Sequence, residues 1–172
     1  MPDFTPNHYI VRRILQPSGN GLLVGAVALA IRNISSPGQT LTFLEIGGQT
    51  LFTGTNAASG SVWGFQRVTA TPAGGTVLTP FSCHPLAADP ATLVDCRFSD
   101  TGALTGVSAN GIDLHHLGLA SQVGAAQPIP LKPTDANLPL YVGPGDCLIL
   151  YAATALVAGS KATMGVRWIM AP

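Results

Sequence analysis

Leu140-Tyr141-Val142-Gly143-Pro144-Gly145-Asp146-Cys147-Leu148-Ile149-Leu150-Tyr151 is the stretch whose reading decides the fold. Leu138 to Val142 is apolar and extended, Gly143 to Asp146 is a turn by composition, and Cys147 to Ala153 is an apolar run. Short apolar runs bounded by glycine and proline read as strands, because a helix needs a longer periodic stretch. Downstream, Ala158-Gly159-Ser160 turns the chain again. Ala162 to Met170 then alternates, with Val166 and Trp168 on one face, as a half-buried strand does.

The same grammar extends upstream. Leu22 to Ile34 reads as a strand buried on both faces. Its apolar run, Leu22 to Ile31, is ten residues long, against the roughly twenty that a membrane helix needs. His8 to Gln16 reads as a first strand with Tyr9, Val11 and Arg13 on one side. Pro17 to Gly21 and Ser35 to Gly38 are turns. Thr40 to Ile46 is a strand, and Gly47-Gly48 predicts a tight connection to Gln49–Thr53. Val62 to Thr69 alternates Trp63, Phe65 and Arg67, and Pro72 to Gly75 turns into Thr76–Phe81. Leu93 to Phe98 is a short strand, while Ser82–Pro90 and Ser99–Gly111 read as irregular or turn-rich. Ile112 to Val123 fits a strand or one helical turn. Pro128, Pro130 and Pro133 make the next segment extended and an edge. About ten strands, roughly every 10 to 15 residues, predict an all-β antiparallel sandwich or barrel. Residues 1–7 form a proline-containing arm, and 8–172 a single β-sandwich domain.

Composition agrees. Glycine (20) and proline (14) are spread along the chain, and only one Glu (Glu45) and two Lys (Lys132, Lys161) occur. Exposed helix faces are built from such residues, so their scarcity argues against an α-rich fold. Charged residues make up 9%, and Lys plus Arg balance Asp plus Glu at 8 each. A solitary soluble domain keeps more charge than this on its surface. Interface cores are depleted in charge, so the expectation is an exterior largely covered by partner chains. The Met1-Pro2-Asp3-Phe4 start lacks a basic region followed by an apolar run, so no secretory signal is expected.

The segment Pro139-Leu140-Tyr141-Val142-Gly143-Pro144-Gly145-Asp146-Cys147-Leu148-Ile149-Leu150-Tyr151, followed by Met164-Gly165-Val166-Arg167-Trp168, resembles the closing hairpin of small jelly-roll-like virion proteins of tailed bacteriophages. Trp63-Gly64-Phe65-Gln66-Arg67, Ala73-Gly74-Gly75-Thr76 and Asp89-Pro90-Ala91 are similar to the middle of that group. The likeness covers about two-thirds of the chain and lies in strand and turn pattern. It implies a jelly-roll-like sandwich with a structural role in a particle assembled in the host cytoplasm. Head decoration (cement) proteins of this kind are trimers on the major capsid protein lattice; tail, fibre and neck components share the fold.

Chemistry is sought in the remaining residues. Cys83 and Cys96 flank a proline-containing loop and are candidates for a disulfide, which would stabilise by about 3 kcal/mol at most. Assembly in a reducing cytoplasm favours three free thiols instead, with Cys147 in the core. His115-His116 in a strand would face opposite sides, which does not grip one ion. A cupin would need His-x-His followed by Glu, and Leu117-Gly118-Leu119 follows the pair here. No Cys-x-x-Cys, Gly-x-Ser-x-Gly or phosphate loop is present. Asp95, Asp100 and Asp113 sit in or near turns, where Asp serves local hydrogen bonding. The expectation is therefore no enzyme, cofactor or metal. Arg12-Arg13 is the one adjacent basic pair, too little for nucleic acid in a chain of zero net charge. Asn33-Ile34-Ser35 matches a glycosylation sequon that is incidental without a signal segment. Phe4, Tyr9, Arg12 and Arg13 are the candidate interface anchors, because aromatics and Arg near a free terminus suit contact with a neighbour. A carbohydrate-recognising sandwich is the rival function.

Overall fold

Strands adjacent in this sequence do not pair with each other. The structure, a computed structural model, describes residues 7–15, 22–52, 61–82, 89–101, 104–110, 112–119, 129–131, 140–155 and 160–171. These hold twelve strands: β1 (Asn7–Leu15), β2 (Val27–Asn33), β3 (Thr40–Phe52), β4 (Ser61–Val68), β5 (Thr76–Leu78), β6 (Phe81–Ser82), β7 (Val94–Phe98), β8 (Ile112–Leu119), β9 (Ile129–Leu131), β10 (Leu140–Val142), β11 (Cys147–Ala152) and β12 (Ser160–Ala171). The first sheet runs β10-β3-β12-β1-β6, with β9 also on β3; the second runs β5-β7-β2-β11-β4-β8.

All pairings are antiparallel, and four of them nest. β1 pairs with β12, β2 with β11, β3 with β10, and β4 with β8. This is one long hairpin rolled over on itself, the jelly-roll arrangement, with β5, β6 and β7 as an excursion at one side. The hairpin expected at the C-terminal end is thus corrected. The Gly143–Asp146 turn carries the chain between sheets, so β10 bonds β3 while β11 bonds β2 and β4. Among the described residues no helix is long and apolar enough to cross a membrane.

Four further boundaries differ from expectation, the first three for a local reason. The run Leu22–Ile34 contains a turn: Ala26 N donates to Leu23 O at 3.1 Å, and Gly25 at φ 81 supplies the left-handed position. Leu23 and Val24 therefore stand exposed at the turn tip, and β2 begins at Val27. Gly47-Gly48 does not turn; β3 continues through it, held by Gly165 and Met164 of β12 on one side and by β9 on the other. Thr76–Phe81 is broken at Pro80, which lacks a ladder donor, and its halves join different sheets. Asn7 already pairs with Met170, so the first strand takes the last residue of the expected arm and starts one residue before His8.

The core lies between the sheets. Tyr9, Phe43, Trp63, Phe65 and Trp168 fill it, each at most 1% exposed. Tyr9 stacks on Trp168 with centroids 6.0 Å apart at 29°, and Phe43 lies 6.0 Å from the same indole. A second, smaller cluster covers the outer face of the second sheet. Val27, Ala30, Cys147, Ile149 and Tyr151 point away from the main core and are buried by Leu104, with Val107 and Ala109 beside it. That cover is pinned by a two-way bond between Ala73 and Thr105, at 2.8 and 2.9 Å. Gly64 lies beneath the Tyr151 ring, where a Cβ would collide with the ring atoms.

Asn33 ties the sheets at one end. Its side chain is fully buried and donates to Gln39 O at 3.0 Å and Val142 O at 2.9 Å. Its Oδ1 accepts from Ser35 N at 3.0 Å and Ser35 Oγ at 2.6 Å. The sequon is therefore occupied by a clamp whose amide has no room for a glycan.

Candidate functional site

The outer faces of the two sheets differ, and the first sheet carries the exposed surface. Residues directly opposite in an antiparallel ladder share a face. Tyr9 and Trp168 point inward, so Ile10 and Ile169 point outward. One outward row runs Phe81–Ile10–Arg167 across three strands; the next runs Ile169–Thr42–Tyr141. Arg12 opposite Gly165 and Gly47 makes a third row. Phe81 is 78% exposed and Tyr141 51%, while Ile10, Thr42 and Ile169 are half-buried and Arg12 and Arg167 exposed. Aromatic, isoleucine and arginine side chains on one face are the composition of a protein contact surface.

The expected anchors fall in different places. Tyr9 is corrected: strand alternation turns it into the core, 1% exposed against Trp168, so it has no face for a neighbour. Burial, and secondarily Asp89, pushes its hydroxyl pKa up. Arg12 lies on the outward face, its aliphatic stem across Gly165 with Cγ 3.2 Å from where a Cβ would stand. Arg13 faces inward and caps the end of the core, 5.7 Å above the Phe98 ring. Phe4 lies outside the described residues. Ile10, Phe81, Tyr141 and Ile169 were missed. Ile10 and Ile169 could have been found by parity, since each alternates with a core aromatic.

Cys83 lies outside the described residues. Cys96 and Cys147 are free and buried, on opposite faces of the second sheet. Burial pushes both thiols up, Cys147 to about 12. Buried thiols held neutral are poor nucleophiles. His84 is outside the described residues; His115 and His116 pair with Phe65 and Gly64 in the β4–β8 ladder. Among the described residues no three His, Cys, Asp or Glu side chains gather as a metal site requires.

The described carboxylates with partners serve structure. Asp95 pairs with Arg97 at 2.9 Å, Asp89 caps the 3-10 turn Pro90–Thr92, and Asp146 accepts from Thr69 at 2.8 Å. Beside Thr69 a shallow polar cleft of about 370 Å³ opens, lined by Arg67, Thr69, Gly106, Ser108 and Asn110. Its side chains offer hydrogen bonds and one cation. No family model matches this chain, and no curated protein matches it.

Proposed function

We propose that this protein is a non-enzymatic structural subunit that works by contact with other chains, as a homo-oligomeric component of a bacteriophage virion. Within that reading it is a capsid decoration, or cement, protein that adds contact area across the head lattice; a tail, fibre or neck component is the variant of the same idea. The open outer face of the first sheet carries the proposal. An apolar and arginine-bearing face loses unfavourable water contact only when another surface covers it. Binding that favours the assembled lattice shifts the equilibrium toward assembly. The jelly-roll topology supports the reading at the level of fold, since capsid domains use it, although lectins and cupins do too. Against a cupin-like role stands the filling of the interior, where a cupin places its metal: Trp63, Trp168, Phe43 and Phe65 occupy it. Counting copies in a purified particle tests the idea. Hundreds of copies per particle fit the head lattice, a handful fit the tail, and none would sink the particle role.

A second reading rests on the polar cleft at Arg67, Thr69, Ser108 and Asn110. Such a lining suits hydroxyl-rich ligands, and a jelly roll is a lectin scaffold. A glycan array decides it: defined sugar specificity, lost in Asn110→Ala, would favour this reading.

A further inference from the structure

We infer that the outer face of the first sheet packs against the same face of a second copy, about a two-fold axis. This inference rests on the contact role proposed above and names the partner. A sheet face is matched by another sheet face, stacked about 10 Å away with strands within about 30° of each other. The other large exposed apolar side chains, Leu23 and Val24 at a turn tip, Ile34, and Val77 on the edge strand β5, make no second such face among the described residues. A head-to-tail contact would need one, whereas a two-fold contact needs the face alone.

Size and charge fit a second copy. Three long strands at about 4.8 Å spacing and nine rows at about 3.4 Å, with the short edge strands β6 and β10, give roughly 500 Å² in projection. That is about two-thirds of the ~800 Å² per partner of a standard interface. The chain carries no formal net charge, so its copies do not repel one another at long range. Arg12 and Arg167 are the charged side chains described on the face. With the axis along the strands, β6 of one copy lies over β10 of the other. Phe81, on one edge, then lies over the edge that carries Tyr141, one outward row or about 7 Å along the strands from it, twice.

Sedimentation equilibrium across a dilution series tests the inference on the full chain and on Ile169→Glu and Phe81→Ser, with near-ultraviolet circular dichroism checking the fold. Wild type is expected at twice 17.6 kDa, or at a higher even multiple. Each variant should keep the native spectrum and dissociate at least about 30-fold more readily, as loss of an anchor does. Phe81 is so exposed that its serine variant keeps the experiment readable if Ile169→Glu fails to fold. A monomer throughout, an odd-numbered assembly, or an oligomer indifferent to both changes would overturn the two-fold contact. An odd-numbered assembly, including the trimer the resemblance implies, would leave the structural role standing, which the particle count tests separately.

Discussion

The two outer faces of this sandwich are built from similar strands and end differently. On the second sheet, Val27, Ala30, Ile149 and Tyr151 face outward and are buried because the chain folds residues 104–110 back over them. On the first sheet, Ile10, Ile169, Tyr141 and Phe81 face outward and keep part or most of their surface in water. The glycines follow the same division. Gly75 at φ 63 and Gly106 at φ 73 let the cover approach so closely that a Cβ would strike Phe98 O or Thr71 O. Gly165, on the open face, has only the flexible Arg12 stem above it. One face is thus covered in cis, while on the other these side chains stay partly or mostly exposed among the described residues. A β-sheet face of similar polarity belongs to the core or to an interface according to what the rest of the chain does with it.

Substitutions should separate the faces, starting with apolar truncation. Ile149→Ala, under the cover, is expected to cost about 2–5 kcal/mol in urea unfolding. Ile169→Ala should cost the dilute monomer under about 1 kcal/mol. Equal losses would break the distinction. Asn33→Ala strips the partners from Gln39 O, Val142 O and Ser35, and about 3 kcal/mol should be lost, since buried groups left unsatisfied cost about 1–3 kcal/mol each. Gly64→Ala forces the Tyr151 ring aside, for about 1–3 kcal/mol. Paired with Tyr151→Ala it should cost less than the sum of the single changes, as contacting residues do.

Alkaline pH probes the buried thiols. Cys147 is pushed from an ordinary 9.0 to about 12, and Cys96 is also pushed up, each chiefly by burial. Both stay protonated in the fold after the unfolded chain has begun to ionise. Stability is therefore full below pH 9 and falls as pH rises above it, by up to about 1.4 kcal/mol per pH unit for each thiol. Unfolding midpoints from pH 8 to 11 should show the decline, and Cys147→Ala should flatten it. The smallest effect belongs to the open face: Phe81→Ser should leave the folding stability of the dilute monomer within about 0.5 kcal/mol.

Strand identity was readable in this sequence because it is local. Tyr9, Val11 and Arg13, or Trp63 and Phe65, alternate with a period that fixes which side chains turn together. Pairing was not readable, because every ladder joins strands distant in sequence, down to β1 with β12. That is why Phe81, Ile10, Ile169 and Tyr141, spread from residue 10 to residue 169, could not be seen as one surface. Tyr9 was misplaced for a related reason. Nearness to a terminus suggested reach, yet β1 sits inside the first sheet between β12 and β6. Arg12 and Arg13 went to opposite faces, as adjacent strand residues must, and only Arg12 reached the open one.

Hydroxyl-radical footprinting, comparing concentrated with dilute protein, tests the contact face most directly. The account predicts that Phe81 and Tyr141 lose labelling on concentration, while Leu23, Val24 and Val77, also exposed but off that face, label equally in both. Unchanged labelling of Phe81 and Tyr141, or protection confined to Leu23 and Val24, would contradict it.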